Sequence, residues 1–227
     1  MYLDVLTKVV FIAMFIPSVV FHEVAHGYVA NLLGDPTAKR AGRLSLNPLK
    51  HIDPVGTVII PAVLALTTGW IFGYAKPVPI NPAYFKNYRV GMLLTGLSGP
   101  VTNLVFAVVS GAAVWLLGGM PANLASGLAG EPISILHGIV ALLWFFYYVN
   151  LILLFINLIP IPPLDGSRIW PLLLNDNGMR LYAQFERYSI WVVLGLFLLG
   201  PIVLGIDPIG AYFSYTVYPL RDLLIFG

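Results

Sequence analysis

The chain has 227 residues, of which 59% are hydrophobic and only 10% are charged. A soluble domain carries about 25% charged residues, so this composition excludes a soluble protein. It predicts an all-α membrane protein that crosses the bilayer several times. The net charge of +2 gives no reason to expect a nucleic-acid partner. The absence of cysteine excludes disulfides, thiolate ligands for zinc and cysteine nucleophiles.

The first apolar stretch, residues 9–34, is long enough to cross a bilayer, which takes roughly 20 apolar residues. Its only formal charge is Glu23, which lies between His22 and His26. A carboxylate in that position costs about 2.5–3.5 kcal/mol, so a function has to account for it. No signal-peptide cleavage pattern interrupts the stretch, and we expect the protein to retain it as its first helix.

The spacing of the two histidines predicts a metal site. On a helix, His22 and His26 lie one turn apart on the same face, where two imidazole nitrogens can bind one ion. Glu23 cannot chelate with that geometry, but it can reach a metal-bound water. His-Glu-x-x-His is the zinc-hydrolase signature for this reason. Histidines that only join helices by hydrogen bonds are the alternative, but a divalent cation better offsets the burial of three ionisable groups.

Four further charge-free stretches follow the first one. They are residues 55–74, 90–130, 132–164 and 188–206, with an apolar tail at 208–220 that we expect only to dip into the membrane. The third is too long for one crossing and breaks at Gly118-Gly119. We therefore predict four to five transmembrane helices, a re-entrant segment and proline-rich loops.

The distribution of basic residues predicts the topology. Basic segments follow the first, second and fourth stretches, whereas the loop at 118–131 contains no Lys or Arg. If residues 55–74 enter and leave on the same side, all basic segments share one face, which the positive-inside rule makes cytoplasmic. Pro61 and Gly69 suit such a re-entrant segment. A true spanning helix at 55–74 is the alternative.

A catalytic zinc takes three protein ligands and leaves the fourth position to water. Without cysteine, the third ligand has to be His51, His137 or a carboxylate. The prolines of residues 157–166 forbid a regular helix at membrane depth, which marks a cavity or a site, and Asp165 lies at the end of that stretch. The re-entrant topology brings Asp165 to the depth of the two histidines, whereas a spanning 55–74 would send it to the opposite side.

Three sequence motifs together resemble those of the site-2 protease family of intramembrane zinc metalloproteases. They are His-Glu-x-x-His within residues 21–27, Leu-Ser-Gly-Pro-Val-Thr-Asn at 97–103, and Asn-Leu-Ile-Pro-Ile-Pro-Pro-Leu-Asp-Gly at 157–166. They occur in the family's order. The resemblance covers residues 10–175 and fits the compact bacterial and archaeal branch without a PDZ or nucleotide-sensing domain.

The resemblance implies a zinc metalloendopeptidase that hydrolyses peptide bonds within or near transmembrane segments of other membrane proteins. It implies one zinc per chain with His22, His26 and Asp165 as ligands. It also implies Glu23 as the general base and Asn157 as a polar group that assists at the reacting carbonyl.

We expect one integral-membrane domain over residues 1–227, with its core at 10–175 and an insertion at about 42–86. The expected location is a prokaryotic cell membrane, with several crossings and the active site toward the cytoplasmic face. His51 and Asp53 are compatible with a second metal site, although an interfacial histidine and a capping aspartate are the favoured interpretation. The sequence predicts neither the natural substrate nor the oligomeric state.

A metal-linked transporter or channel with broken helices is the competing function, because intramembrane ionisable residues also occur there. Such a protein is expected to show inverted repeats, which we do not find in the sequence. It also gives Glu23 no need to adjoin a metal ligand.

Overall fold

The structure is a computed structural model that describes residues 2–59, 75–121, 135–195, 205 and 207–226. The α-helices of these residues are α1 (Tyr2–Leu32), α2 (Thr37–Arg40), α3 (Tyr88–Leu116), α4 (Ile135–Leu158), α5 (Trp170–Leu173), α6 (Asp176–Leu194), α7 (Pro208–Tyr215) and α8 (Val217–Asp222). Short 3₁₀ turns cover Pro48–Lys50, Pro82–Tyr84 and Asp165–Ile169, and a π-helical turn covers Pro54–Ile59. The two-residue strands β1 (Met120–Pro121) and β2 (Ile225–Phe226) pair in parallel.

Three of the described helices are long and apolar enough to cross a membrane: α1 from Val9 to Leu32, α3 and α4. They coincide with the first, third and fourth apolar stretches, which confirms the prediction of an all-α polytopic membrane protein. Helix α3 begins where the Asn87 side chain accepts a hydrogen bond from the Val90 N–H at 3.1 Å. It ends just before Gly118-Gly119, at the predicted break.

The two ends of the predicted re-entrant stretch lie side by side. The Lys76 N–H donates to the His51 carbonyl oxygen at 2.9 Å, and the Asn81 N–H donates to Asp35 Oδ2 at 2.6 Å. The chain therefore enters and leaves this stretch at one end of the helix bundle, which a single crossing would not allow. Residues 60–74 themselves lie outside the described part of the chain.

The fifth predicted helix begins earlier than its apolar stretch. Helix α6 starts at Asp176, because the Asn175 side chain caps it by accepting a hydrogen bond from the Gly178 N–H at 2.9 Å. Helix α6 is described only to Leu194, so the rest of the apolar stretch 188–206 is described only at residues 195 and 205.

The C-terminal tail packs along α4 in the opposite direction. The Tyr212 hydroxyl donates to the Phe155 carbonyl at 3.1 Å, and the Tyr147 hydroxyl donates to the Leu220 carbonyl at 2.8 Å. Farther along, β2 reaches β1 at the end of α3. Buried apolar residues join these elements into one core: Ala107, Val114, Val140, Trp144, Tyr147, Leu151, Phe213, Val217 and Leu224. The expected shallow tail is thus part of the core of the helix bundle.

Candidate metal centre

Two histidines of α1 face Asp165, which belongs to the turn that follows α4. The His22 and His26 Nε2 atoms are 3.1 Å apart. Asp165 Oδ2 lies 3.0 Å from the first of these nitrogens and 3.2 Å from the second. Both histidines are buried, with 5% and 7% of their surface exposed. One potential ligand atom from each of the three residues therefore meets at a single point.

These distances fit a zinc ion. Tetrahedral zinc with bonds of about 2.0–2.1 Å to nitrogen and oxygen holds its ligand atoms about 3.3–3.4 Å apart. The three measured separations are within a few tenths of an ångström of that value. Two imidazoles and one carboxylate are also a usual donor set for catalytic zinc. Among the described residues, this is the single group of three or more potential ligands, and it includes neither Glu23 nor His51 nor His137.

Helix α3 leaves room beside the two Nε2 atoms because it carries Gly99 there. A Cβ atom at residue 99 would lie 2.5 Å from His22 Nε2 and 2.6 Å from His26 Nε2. Any side chain would therefore fill the space next to both nitrogens. The need for this space explains why the motif at residues 97–103 has glycine at position 99.

The other nitrogen of each imidazole is held by a hydrogen bond. His26 Nδ1 lies 2.7 Å from the Thr95 carbonyl oxygen, which can only accept, so this nitrogen carries the proton. His22 Nδ1–H donates to Asn103 Oδ1. In the neutral form of each imidazole, Nε2 is then the unprotonated nitrogen and presents its lone pair to the common point, as in metal-bound histidines.

A chain of buried amides continues behind His22. Asn103 Nδ2 donates to Asn150 Oδ1 at 2.8 Å, and Asn150 Nδ2 donates to Ser18 Oγ at 2.9 Å. These three residues come from α3, α4 and α1, and all are fully buried. Their bonds fix which end of the Asn103 amide faces His22. None of these three residues is assigned an individual role from the sequence, although buried asparagines in apolar spans are a recognisable signal.

Asp165 reaches the centre because α4 stops and the chain turns back toward α3. Helix α4 ends at Leu158, before the proline-rich stretch. The turn then packs so closely on the helix end that a Cβ atom at Gly166 would lie 2.3 Å from the Leu158 carbonyl oxygen. The loop predicted to be irregular thus carries the third potential ligand to the same depth as the histidines.

Glu23 lies on α1 beside His22 and is half-buried. Its Oε2 accepts a hydrogen bond from the backbone N–H of Val78 at 3.1 Å. Asn157 is also half-buried, and its Nδ2 donates to the Leu153 carbonyl of its own helix at 2.9 Å. Since an amide nitrogen carries two hydrogens, the Asn157 side chain keeps a second donor.

The second metal site considered for His51 and Asp53 is not supported by their surroundings. His51 Nε2 donates to the Ser45 carbonyl at 2.8 Å. Asp53 Oδ1 accepts from the Gly56 N–H at 2.7 Å, which is a capping bond at the start of a turn. Each residue therefore has a local structural partner.

Comparisons with known proteins identify the family of the chain. The model of peptidase family M50 matches residues 10–200. A Bacillus subtilis protein named "Putative zinc metalloprotease YwhC" is 38% identical over 207 residues, which are 91% of this chain and 83% of that protein. Two proteins named "Putative zinc metalloprotease Rip2" are each 29% identical. The one from Mycolicibacterium smegmatis aligns with 82% of this chain and 66% of its own length. The one from Mycobacterium tuberculosis aligns with 95% of this chain and 74% of its own length. No solved structure matches the chain.

Proposed function

This chain belongs to peptidase family M50, and we propose that it hydrolyses peptide bonds inside the membrane at a zinc bound by His22, His26 and Asp165. The proposed enzyme is one integral-membrane domain over residues 1–227, with a core at 10–175 and an insertion at about 42–86. Its substrates are transmembrane segments of other membrane proteins.

The convergence of three ligand atoms carries this proposal. In an apolar bundle, two histidines and an aspartate at about 3 Å from one another need a cation or shared protons to offset their burial. The hydrogen bonds at both Nδ1 atoms favour the cation, since they leave the facing Nε2 atoms as acceptors.

When bound, zinc lowers the pKa of water toward about 7 and polarises the substrate carbonyl. Glu23, one residue from a ligand, takes the proton from the attacking water as general base. The same carboxyl group then returns the proton to the amine that leaves. Asn157 donates its second N–H to the substrate carbonyl oxygen as negative charge develops there. A substrate helix has to unwind first, because its carbonyl groups are shielded by the helix.

A transporter or channel is the less favoured function. It gives no reason for a glutamate next to a metal ligand, and family M50 consists of peptidases by its own description. The buried ionisable groups that suggested it are accounted for by the proposed metal site.

We further propose that the active site faces the cytoplasm, because Lys39, Arg43 and Arg168 follow the ends of α1 and α4 that carry the proposed ligands. Single cysteines at exposed Lys39, Tyr84 and Asn177 should then react with an impermeant reagent added to the cytoplasmic side. A cysteine at Asn123, in the sequence stretch 118–131 that contains no Lys or Arg, should react from the opposite side. Labelling of Lys39 and Asn123 from the same side would overturn this orientation.

The substrate class is tested with purified protein and a panel of single-span membrane peptides. We expect cuts within the apolar span, mapped by mass spectrometry, and faster cutting when Gly, Pro or Asn near the cut weakens the helix. The same protein treated with a zinc chelator is the control and should cut nothing. Cutting restricted to soluble peptides would contradict the proposal.

A further inference from the structure

We propose that the backbone N–H of Val78 positions Glu23 for its role as general base. We call residues 75–81 the support segment, and we infer that Asp35 and Arg43 hold this segment in place. The inference rests on the proposed function, since it assigns a device for orienting the base of that reaction. It adds residues that lie outside the three motifs.

The contact itself is a hydrogen bond from a buried donor to a carboxylate. The Val78 N–H lies 3.1 Å from Glu23 Oε2, and the Val78 residue is only 6% exposed. Hydrogen bonds to an ionised acceptor are roughly twice as strong as neutral ones. Because one oxygen is held in this way, the carboxylate loses its rotation and its other oxygen keeps a fixed direction.

The start of the support segment is held by hydrogen bonds at both backbone groups of Lys76. The Lys76 N–H donates to the His51 carbonyl at 2.9 Å, and Arg43 Nη2 donates to the Lys76 carbonyl at 2.6 Å. Arg43 is buried. A buried guanidinium bonded to a backbone carbonyl fixes the chain two residues before Val78.

The end of the support segment is held by Asp35, which is fully buried just after α1. Its Oδ2 accepts from the Asn81 N–H at 2.6 Å, and its Oδ1 accepts from the Thr37 N–H at 2.9 Å. Burial alone would raise the pKa of this carboxyl group. Hydrogen bonds from Thr37 and Asn81 outweigh burial and hold the pKa of Asp35 below its usual value. Asp35 is therefore an ionised anchor at neutral pH.

Residues 76–82, which run from the support segment to the proline that follows it, have the sequence Lys-Pro-Val-Pro-Ile-Asn-Pro. This sequence keeps a backbone N–H at the two positions where a carboxylate accepts one. Proline has no N–H and restricts both itself and the residue before it to extended backbone. Three prolines in seven residues thus leave few donors. Val78 donates to Glu23 and Asn81 donates to Asp35, whereas the Ile80 N–H makes no hydrogen bond within the described part of the chain.

Helix α1 admits the segment at this point because residue 27 is glycine. A Cβ atom there would lie 2.8 Å from Val78 Cγ1 and 2.7 Å from Leu44 Cδ2. One turn after Glu23, the helix therefore has no side chain that would keep the support segment at a distance. The packing of Val78 against Gly27 therefore also brings the Val78 N–H within reach of Glu23.

The test compares two proline variants of the full chain, loaded with zinc and supplied with a membrane peptide that the parent cuts. Val78→Pro removes the N–H that Glu23 accepts. Leu46→Pro, at an exposed residue outside the support segment, removes an N–H that has no acceptor within the described part of the chain. We expect Val78→Pro to lower kcat by about tenfold to a hundredfold, the size of effect that misplacing a reacting group produces. KM and zinc content should stay within about twofold of the parent, and Leu46→Pro should keep the parent kcat.

A second form of the test applies if Val78→Pro does not fold. Replacing Val78 by the corresponding hydroxy acid keeps the side chain and changes only the N–H to an ester oxygen, and the same fall in kcat is expected. A parent-like kcat, or a change confined to KM, overturns this inference and leaves the proposed function standing. A parent protein that cuts no membrane peptide overturns the proposed function, and this inference with it.

Discussion

Glu23→Gln is expected to stop cleavage while zinc stays bound. Glu23 is not part of the group of converging ligand atoms, so its replacement leaves two imidazoles and a carboxylate in place. The amide keeps the shape of the side chain and an oxygen that can still accept from the Val78 N–H. It cannot take a proton from water. Loss of a general base typically costs about 10²–10⁴-fold in rate, and more is expected here because the same group returns the proton.

The measurement is kcat for a single-span membrane peptide, with zinc per chain determined in the same preparation. Glu186→Gln, the same substitution on an exposed residue of α6, is the matched control and should leave both values unchanged. Substrate should still bind to the Glu23→Gln protein and remain uncut. Cleavage by Glu23→Gln at close to the parent rate would refute the proposed mechanism, whatever the zinc content.

The ligand variants are expected to behave differently from Glu23→Gln. His22→Ala or Asp165→Ala removes one of the three proposed ligands, and zinc and cleavage should be lost together. Asn103→Ala leaves all ligands present but removes the acceptor of the His22 Nδ1–H. Loss of such a partner typically weakens metal binding about 10–100-fold, so this variant should bind zinc only at higher concentration.

Zinc content is measured on purified protein after dialysis against graded zinc concentrations. His137→Ala is the matched control, since His137 is exposed on α4 and is not part of the converging group. It should retain stoichiometric zinc. Full zinc content in a protein that carries both His22→Ala and His26→Ala would place the metal elsewhere and remove the basis of the proposed site.

The sequence was sufficient to predict the converging side chains because each rests on a local rule. Helical spacing puts His22 and His26 on one face. The prolines before Asp165 end a membrane helix, and the positive-inside rule sets the relative direction of the helices. Together these rules require the aspartate to lie at the depth of the histidines, and the structure has it there.

The contacts that hold these side chains could not be predicted in the same way. The Val78–Glu23 bond joins positions far apart in the chain through a backbone N–H, and a backbone group has no sequence signal of its own. The same applies to the Thr95 carbonyl behind His26. Asn150 is visible as a polar residue in an apolar span, but its partner Asn103 depends on how α3 and α4 pack. Such choices are made by tertiary packing.

The start of α6 illustrates a smaller discrepancy of the same origin. Hydropathy places a boundary where the apolar stretch begins, whereas the helix begins at its capping residue, Asn175. The polar first turns of α6 are therefore helical although they are not apolar. Membrane-helix prediction from hydropathy alone misses such extensions.

The most direct test of the central claim follows zinc and cleavage together in one preparation of the full chain. The protein is stripped with a chelator and then titrated with zinc, while bound zinc per chain and the rate of cutting of a single-span membrane peptide are both measured. The account predicts that the stripped protein cuts nothing and that the rate rises in proportion to bound zinc, with a plateau at about one per chain. Cleavage that persists without zinc, or a zinc-loaded protein that cuts no membrane peptide, would contradict it.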